Sequence, residues 1–245
     1  VGGAAKAFLG ANIGGQARNR IAKIDYSTGA ATAWNPDASL QVTAIAVSGS
    51  TIYAGGNFRT IGGTSRNRLA ALDATTGLAT AWDPSVGANV NSIVVTGPKV
   101  YAAGAFTSVG GLTRLGIAAL DSASGIATSW NPAANGIVRA IAVTGSSVYA
   151  GGNFTNIGGQ ARARIAAVDA TTGLATAWNP GASGQVNCLA LSGTTVYAGG
   201  SFTTLGGQPR NRIGEISGTT GLATTWNPNS SGNVFALALS GTTVY

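Results

Sequence analysis

A tryptophan recurs every 48 residues along this chain, at Trp34, Trp82, Trp130, Trp178 and Trp226. A glycine pair, a proline and a tyrosine keep the same interval; in the second copy they are Gly62-Gly63, Pro84 and Tyr53. Because nothing interrupts the interval, the chain is one sequence unit of 48 residues written five times, which is the signature of a repeat architecture. The units leave little else in 245 residues, so we expect residues 1–245 to form a single domain.

The composition is that of a compact body. Hydrophobic residues make up 44% of the chain and charged residues only 9%, which is too apolar for a disordered polypeptide. No apolar run reaches the length of a membrane helix, and Val1 to Lys6 lacks the layout of a signal peptide. Since methionine is absent, we expect a processed or excised segment.

Each unit contains four short apolar or β-branched runs. In the second copy they are Val42–Val47, Thr51–Ala54, Arg66–Asp73 and Leu78–Trp82. Residues 48–50 and 74–77 are typical of tight turns, whereas 59–65 is a longer loop. The unit is therefore predicted to be a four-stranded antiparallel meander.

Four short antiparallel strands at this period are typical of a β-propeller blade, whose sheet is buried on both faces by its neighbours. We therefore predict an all-β, five-bladed β-propeller with four antiparallel strands per 48-residue blade; a solenoid is the alternative. Ala7–Gly10 resembles a second strand and Val234–Leu239 a first strand. Pairing of these N- and C-terminal strands would close the ring and remove exposed edges.

Several kinds of active site are excluded by residue type. Histidine is absent, so Ser-His-Asp, Cys-His and histidine-metal arrangements cannot occur. The single cysteine, Cys188, permits no internal disulfide and is expected to be a small core residue. The glycine pairs open no helix and precede no Gly-Lys-Ser/Thr, so they are turn glycines rather than phosphate loops.

An aspartate precedes the turn into the fourth strand in four copies, at Asp25, Asp73, Asp121 and Asp169. Such a repeat position suits either a metal site or a side chain that caps its own turn. The fifth copy has Ser217, which can cap a turn but is a poor calcium ligand. We therefore predict turn caps, with no metal and no cofactor.

An arginine follows the glycine pair in every copy, at Arg18, Arg66, Arg114, Arg162 and Arg210. A second set, Arg20, Arg68, Arg164 and Arg212, is broken by Gly116. The long connections after the second and fourth strands lie on one edge of an antiparallel meander, where ligands are commonly bound. The five-membered set is the candidate ligand-binding site for an anionic partner; alternatively it stacks on aromatic rings or ties down loop carbonyls. The tryptophans are expected to pack between blades rather than to stack on sugars.

The fourth copy reads VYAGGNFTNIGGQARARIAAVDATTGLATAWNP. It resembles the repeat of the bacterial delta-60 β-propeller family, which occurs in large secreted or surface proteins, and the resemblance covers nearly the whole chain. The resemblance implies a propeller fold and an extracellular or cell-surface location. It implies no reaction, because the family has no established activity.

Three functions follow from these observations. The first is a non-enzymatic binding or adhesion module, and the second is a purely structural or designed repeat scaffold, or a subunit of an extracellular assembly. The third, a degenerate hydrolase or oxidoreductase, is disfavoured by the lack of histidine. We expect an extracellular polysaccharide or a surface protein as partner, no nucleic acid, no membrane insertion, and a monomer unless the chain belongs to a larger assembly.

Overall fold

The computed structural model describes residues 12–245, and their regular secondary structure is entirely β-strand. In chain order the strands are β1 (Asn12–Ile13), β2 (Gln16–Ala17), β3 (Val42–Ser48), β4 (Thr51–Gly56), β5 (Thr60–Ile61), β6 (Thr64–Ser65), β7 (Leu69–Asp73), β8 (Val90–Thr96), β9 (Lys99–Gly104), β10 (Ser108–Val109), β11 (Leu112–Thr113), β12 (Ile117–Asp121), β13 (Val138–Thr144), β14 (Ser147–Gly152), β15 (Asn156–Ile157), β16 (Gln160–Ala161), β17 (Ile165–Asp169), β18 (Val186–Ser192), β19 (Thr195–Gly200), β20 (Thr204–Leu205), β21 (Gln208–Pro209), β22 (Ile213–Ser217), β23 (Leu239–Ser240) and β24 (Thr243–Val244). Within that range the chain has no helix long and apolar enough to cross a bilayer.

Four of the repeats contain the same three-stranded antiparallel sheet, with sequence-adjacent strands side by side: β3-β4-β7, β8-β9-β12, β13-β14-β17 and β18-β19-β22. A bulge interrupts β3 between Val42 and Ala44 and recurs at the same position in β13 and β18. Opposite the bulge, a Cβ on Gly56 would lie 2.1 Å from the Gln41 carbonyl oxygen. The second glycine of the Ala-Gly-Gly run is therefore required by the close approach of the two backbones.

The loop after the second strand contains a small hairpin that the sequence did not predict. In the second repeat it pairs β5 with β6 around Gly62 and Gly63, whose φ values are 61° and 80°. Two consecutive positive φ angles are the requirement of a type I′ turn, which explains the glycine pair. A Cβ on Gly62 would also lie 2.3 Å from the Ala79 nitrogen, so the hairpin packs directly on the following segment.

The fourth strand predicted at Leu78–Trp82 is wrong; this segment joins the sheet only through an isolated bridge between Leu72 and Ala79. The Ala79 amide donates to the Gly62 carbonyl at 3.0 Å. The Thr80 carbonyl accepts from the Arg66 guanidinium at 2.6 Å. Because the Thr80 amide donates to the Ala71 carbonyl, the Ala79 amide points away from β7 and toward the glycine hairpin, which covers the outer edge of this segment. The Arg66 guanidinium takes the Thr80 carbonyl, a group that a longer ladder with β7 would use.

The third strands of the second, third and fourth repeats are buried on both faces, as predicted, whereas that of the fifth repeat is partly buried and Val47, on the first strand of the second repeat, is 68% exposed. Leu69, Ala70, Ala71 and Leu72 are all buried, and Phe58 and Ile61 of the loop pack into the same apolar cluster as Ala70 and Leu72. Cys188 is buried as well, which confirms its place as a small core residue. The contacts of the described residues divide into two compact units: one holds residues 12–102 with Phe106–Thr113 and Leu120–Thr128, and the other holds Ala103–Ala105, Arg114–Ala119 and Ser129–Tyr245.

Four of the five tryptophans pack on the repeat that follows them, as predicted. The indole Nε1 donates to the backbone carbonyl 39 residues later, in the pairs Trp34–Asp73 (3.0 Å), Trp82–Asp121 (3.0 Å), Trp130–Asp169 (2.9 Å) and Trp178–Ser217 (2.9 Å). These four indoles are buried, so they are not platforms on which a sugar can stack.

The strands predicted to close the chain have different outcomes. Ala7–Gly10 lies outside the described residues. Of the predicted strand Val234–Leu239, only Leu239 is in a strand, and that strand pairs with Thr243–Val244 in a hairpin. The segment therefore brings a second strand with it, rather than being a lone first strand.

Candidate functional site

The two long connections of the repeat meet at one edge of the sheets, which we call the loop edge. In the second repeat, Ser39 Oγ accepts the amides of Arg59 and Thr60, each at 3.0 Å. Asn135 Oδ1 accepts the amides of Thr155 and Asn156 at 2.9 Å in the corresponding place of the fourth repeat. The segment after one tryptophan is thus tied to the loop of the next repeat, as predicted from the antiparallel order.

The first arginine set lies on the loop edge, and its guanidinium groups are hydrogen-bonded to backbone carbonyls. Arg66 donates from Nη1 to the Ser65 carbonyl at 2.7 Å and from Nη2 to the Thr80 carbonyl at 2.6 Å. Arg162 repeats the pattern with Ala161 at 2.8 Å and Thr176 at 2.6 Å. The same two partners recur for Arg18, with Ala17 and Thr32, and for Arg210, with Pro209 and Thr224. Arg114 holds the corresponding position after β11 and is half-buried.

These contacts correspond to the alternative in which the arginines tie down loop carbonyls. Only 14% of the Arg66 side chain is exposed, so much of its stem is covered by protein. Both acceptors are uncharged, however, and a guanidinium that donates to a neutral carbonyl keeps its full positive charge. The carbonyls therefore hold the guanidinium groups in position and do not neutralise their charge.

The second arginine set is held in the left-handed backbone region, a feature that the pattern alone did not reveal. Arg20, Arg68, Arg164 and Arg212 have φ between 64° and 67°, and the break in the series, Gly116, has φ 70°. Gly116, which replaces the arginine in the third copy, was the sequence signal for a positive φ at this position, because glycine adopts positive φ without strain. Each of these arginines donates from Nη1 to a carbonyl 18 residues later, as Arg68 does to Val86 at 3.0 Å.

Acidic side chains are sparse on the loop edge. Asp83 Oδ2 lies 3.6 Å from Arg66 Nη1, but the other copies have an asparagine at this position. Asp37 accepts from Asn19 Nδ2, and the corresponding contact in the fifth repeat joins Asn211 and Asn229. Both aspartates thus occupy positions where the chain itself also uses asparagine.

The repeated aspartates lie at the opposite edge and cap their own turns, as predicted. Asp73 Oδ1 accepts the amides of Thr75 and Thr76 at 3.0 and 2.6 Å, and Ser217 Oγ accepts the Thr220 amide at 3.2 Å. The Thr76 amide and hydroxyl lower the pKa of Asp73, and the hydroxyls of Ser27 and Thr28 lower the pKa of Asp25 to about 2. No group of three side chains in residues 12–245 has the composition to hold a metal ion.

A repeated apolar position is exposed next to these turns, at Leu78, Ile126, Leu174 and Leu222. Sequence reasoning assigned this position to the start of a buried fourth strand. Because that strand is reduced to a single bridge, the side chain instead points into solvent.

No family model and no curated protein matches the chain. Among solved structures it is similar to the computationally designed Ika8 protein, at 16% identity and a TM-score of 0.52, over 83% of this chain and 67% of that chain. It is also similar to the computationally designed Ika4 protein, at 16% identity and a TM-score of 0.48, over 73% of this chain and 92% of that chain. At this identity the likeness to Ika8 shows a shared all-β fold and nothing about function.

Proposed function

We propose that the chain is a non-enzymatic β-propeller module of a secreted or cell-surface protein, and that its loop edge binds an anionic polymer such as an acidic polysaccharide. One observation carries the proposal: the loop-edge arginines Arg18, Arg162 and Arg210 are held in place by hydrogen bonds to uncharged backbone carbonyls, which leave the guanidinium charge in place. The extracellular location rests on the resemblance of the repeat to the delta-60 family.

Repetition gives this edge its binding strength. A single half-buried guanidinium offers little affinity, but several at a constant repeat position can engage successive charges of one polymer chain. Because the side chains are already ordered, less rotamer freedom is lost on binding. The attraction is electrostatic, so it should weaken as salt is added.

The proposed architecture is five blades of 48 residues closed into a ring. The strict period supports it, and so do the third strands of the second, third and fourth repeats, which are buried on both faces. A tryptophan also contacts the following repeat, as Trp34 does at Asp73 and Trp82 at Asp121. In a propeller each blade makes the same contacts with the next blade, so a contact that recurs between successive repeats is expected.

The non-enzymatic part of the proposal rests on the available side chains. Histidine is absent, and the Asp73 and Asp121 carboxylates accept hydrogen bonds from their own turns. A general base needs a carboxylate directed at a substrate rather than at its own backbone.

The experiment changes the charge of the loop edge without touching the arginines. In the double variant Asp37→Asn/Asp83→Asn, both replacements match residues that the chain uses at the same positions, Asn229 and Asn227. We expect tighter retention on an immobilised acidic polysaccharide, by roughly 2- to 30-fold for two surface charges.

The control adds the same two charges to the opposite edge. Asp73→Ser/Asp169→Ser copies Ser217 and should change retention much less, because exposed charges are screened over about 10 Å. Equal effects of the two double variants, or no retention of the wild type at low salt, would contradict a loop-edge site.

A second candidate function is a structural repeat scaffold. It is favoured by the use of the arginine Nη groups as backbone ties and by the likeness to the designed Ika8 fold. A scaffold of this kind would show no polyanion retention beyond that of a soluble protein with the same net charge of +7.

A further inference from the structure

The first strand of the repeat contains a bulge, and the extra residue of the bulge is polar. In the second repeat this residue is Thr43, and in the fifth it is Asn187. Thr43 Oγ1 donates to the Val90 carbonyl, and Asn187 Nδ2 donates to the Val234 carbonyl at 2.9 Å. Each acceptor lies 47 residues further along the chain, so the bulged side chain ties its repeat to the next one.

The fourth repeat departs from this pattern at Arg139. Arg139 is the extra residue of the bulge in β13, but its Nε donates to Asn153 Oδ1 at 2.8 Å, within its own repeat. The acceptor that corresponds to the Val90 and Val234 carbonyls is the Val186 carbonyl, and Arg139 makes no hydrogen bond to it. The side chain is thus turned away from the neighbouring repeat, as bulges often do beside a binding site.

Arg139 and Asn153 both lie on the loop edge. Arg139 is the second residue of β13, directly after a long connection, and Asn153 directly follows β14. The Asn153 amide donates to the Ile137 carbonyl at 2.8 Å, and the Arg164 backbone bonds to the residues on both sides of Asn153, at 2.9 and 3.0 Å. The residue that orients Arg139 is therefore itself held by the backbone.

The Arg139 guanidinium is anchored through one nitrogen and open at the other two. Within residues 12–245 its Nη1 and Nη2 have no hydrogen-bond partner, and the contact with Asn153 is exposed to solvent. Arg66 and Arg162 instead use both Nη groups on backbone carbonyls. A guanidinium held through Nε keeps its end free, where two parallel N–H groups match two oxygens of a carboxylate or a sulfate.

We propose that Arg139 is the principal oxyanion contact of the loop edge and binds one carboxylate or sulfate group of the acidic polysaccharide end-on, through Nη1 and Nη2. The inference rests on the polysaccharide binding proposed above and assigns a residue to it. The arginines bound to carbonyls attract the polymer by charge, whereas Arg139 makes the directional contact. Asn153 is a positioning residue, because it orders the guanidinium before the ligand arrives and so reduces the entropy lost on binding.

The test replaces Arg139 by residues that separate charge from geometry. Arg139→Asn copies Asn91 and Asn187, and the new side chain can take the Val186 carbonyl as Asn187 takes that of Val234, so the melting temperature should not fall. Retention at low salt on immobilised polygalacturonate or dextran sulfate should fall by roughly 10-fold or more. A loss on the first matrix alone identifies a carboxylate as the ligand, and a loss on the second alone identifies a sulfate. Arg139→Lys keeps the charge without the fork and should give intermediate retention.

Two controls separate this contact from the general charge of the edge. Arg59→Thr removes the same charge from an exposed loop-edge arginine and should lower retention by about 1.5- to 5-fold. Asn153→Ala, which copies Ala105, removes the anchor and keeps the charge. It should weaken retention in the wild type but have no further effect on Arg139→Asn, a coupling that a merely structural role of Asn153 would not produce.

A wild type that binds neither matrix overturns both the polysaccharide proposal and this one. A wild type that binds, with equal losses for Arg139→Asn and Arg59→Thr, leaves the loop-edge proposal in place and overturns the role of Arg139. Wild-type retention of Arg139→Lys also overturns it, because a point charge would then be sufficient. A larger loss for Arg139→Asn than for Arg59→Thr, at an unchanged melting temperature, supports the directional contact.

Discussion

Replacing Arg162 by glutamine tests whether the repeated arginine stabilises the fold. Its bond to the half-buried Thr176 carbonyl, 2.6 Å long, is charge-assisted and is worth about 1.5–3 kcal/mol. The second bond, to the exposed Ala161 carbonyl, adds a smaller amount. Glutamine is too short to reach both acceptors, so we expect the free energy of unfolding to fall by about 2–3 kcal/mol. In a chain of this length the melting temperature should then fall by roughly 4–12 °C, measured by calorimetry.

The matched control is Arg59→Thr, because Arg59 is exposed on the same edge and the last three copies have threonine there, at Thr107, Thr155 and Thr203. It removes the same charge and no carbonyl tie, so its effect should stay within about 0.5 kcal/mol. If Arg162→Gln and Arg59→Thr have the same melting temperature, the hydrogen bonds of Arg162 to the loop carbonyls do not contribute to stability, and the structural role of the repeated arginine is wrong.

Two further predictions concern strain and acid. Ala133 has φ 49°, a left-handed conformation that strains any residue except glycine, and the next repeat has Gly181 at this position. We therefore expect Ala133→Gly to raise the free energy of unfolding by about 0.5–1 kcal/mol and Gly181→Ala to lower it by a similar amount, both measured by urea unfolding. A lower stability of Ala133→Gly would contradict this backbone strain. The lowered pKa of Asp73 means that the unfolded chain binds more protons below about pH 4, so its stabilising effect is present above that pH and is lost as the pH falls toward the folded-state pKa. Asp73→Ser should therefore flatten the dependence of the melting temperature on pH below about 4, and an unchanged slope would refute the cap.

The sequence predicted the parts of the fold that depend on side-chain type at fixed spacing. Trp82 had to be packed between repeats because it lies in an apolar run, and its indole does bind the turn of the following repeat. Asp73 was assigned to a turn cap because serine replaces it in the fifth copy, and both residues accept amides of their turns. Both predictions succeeded because the role of each side chain depends on nearby residues and recurs in every copy that carries it.

The sequence did not predict the features set by competition between backbone partners. Leu78–Trp82 has the composition of a strand, but the Thr80 carbonyl, which a longer ladder with β7 would use, is taken by Arg66. That competition depends on how the glycine hairpin folds over the sheet, which no residue pattern states. The exposure of Leu78 follows from the same event.

The same competition decides how the binding proposal has to be tested. Replacing Arg66, Arg114 and Arg162 together would be the direct experiment if these side chains served only to bind a ligand. Since Arg66 and Arg162 each hold two carbonyls, the triple variant would lose stability and retention together, and neither loss could be assigned to a missing site. Charge can instead be added at Asp37 and Asp83, where asparagine is already compatible with the fold. Both double variants lose two negative charges and keep every arginine, so a larger increase in retention for the loop-edge variant than for the variant at the opposite edge isolates the electrostatic contribution of the loop edge.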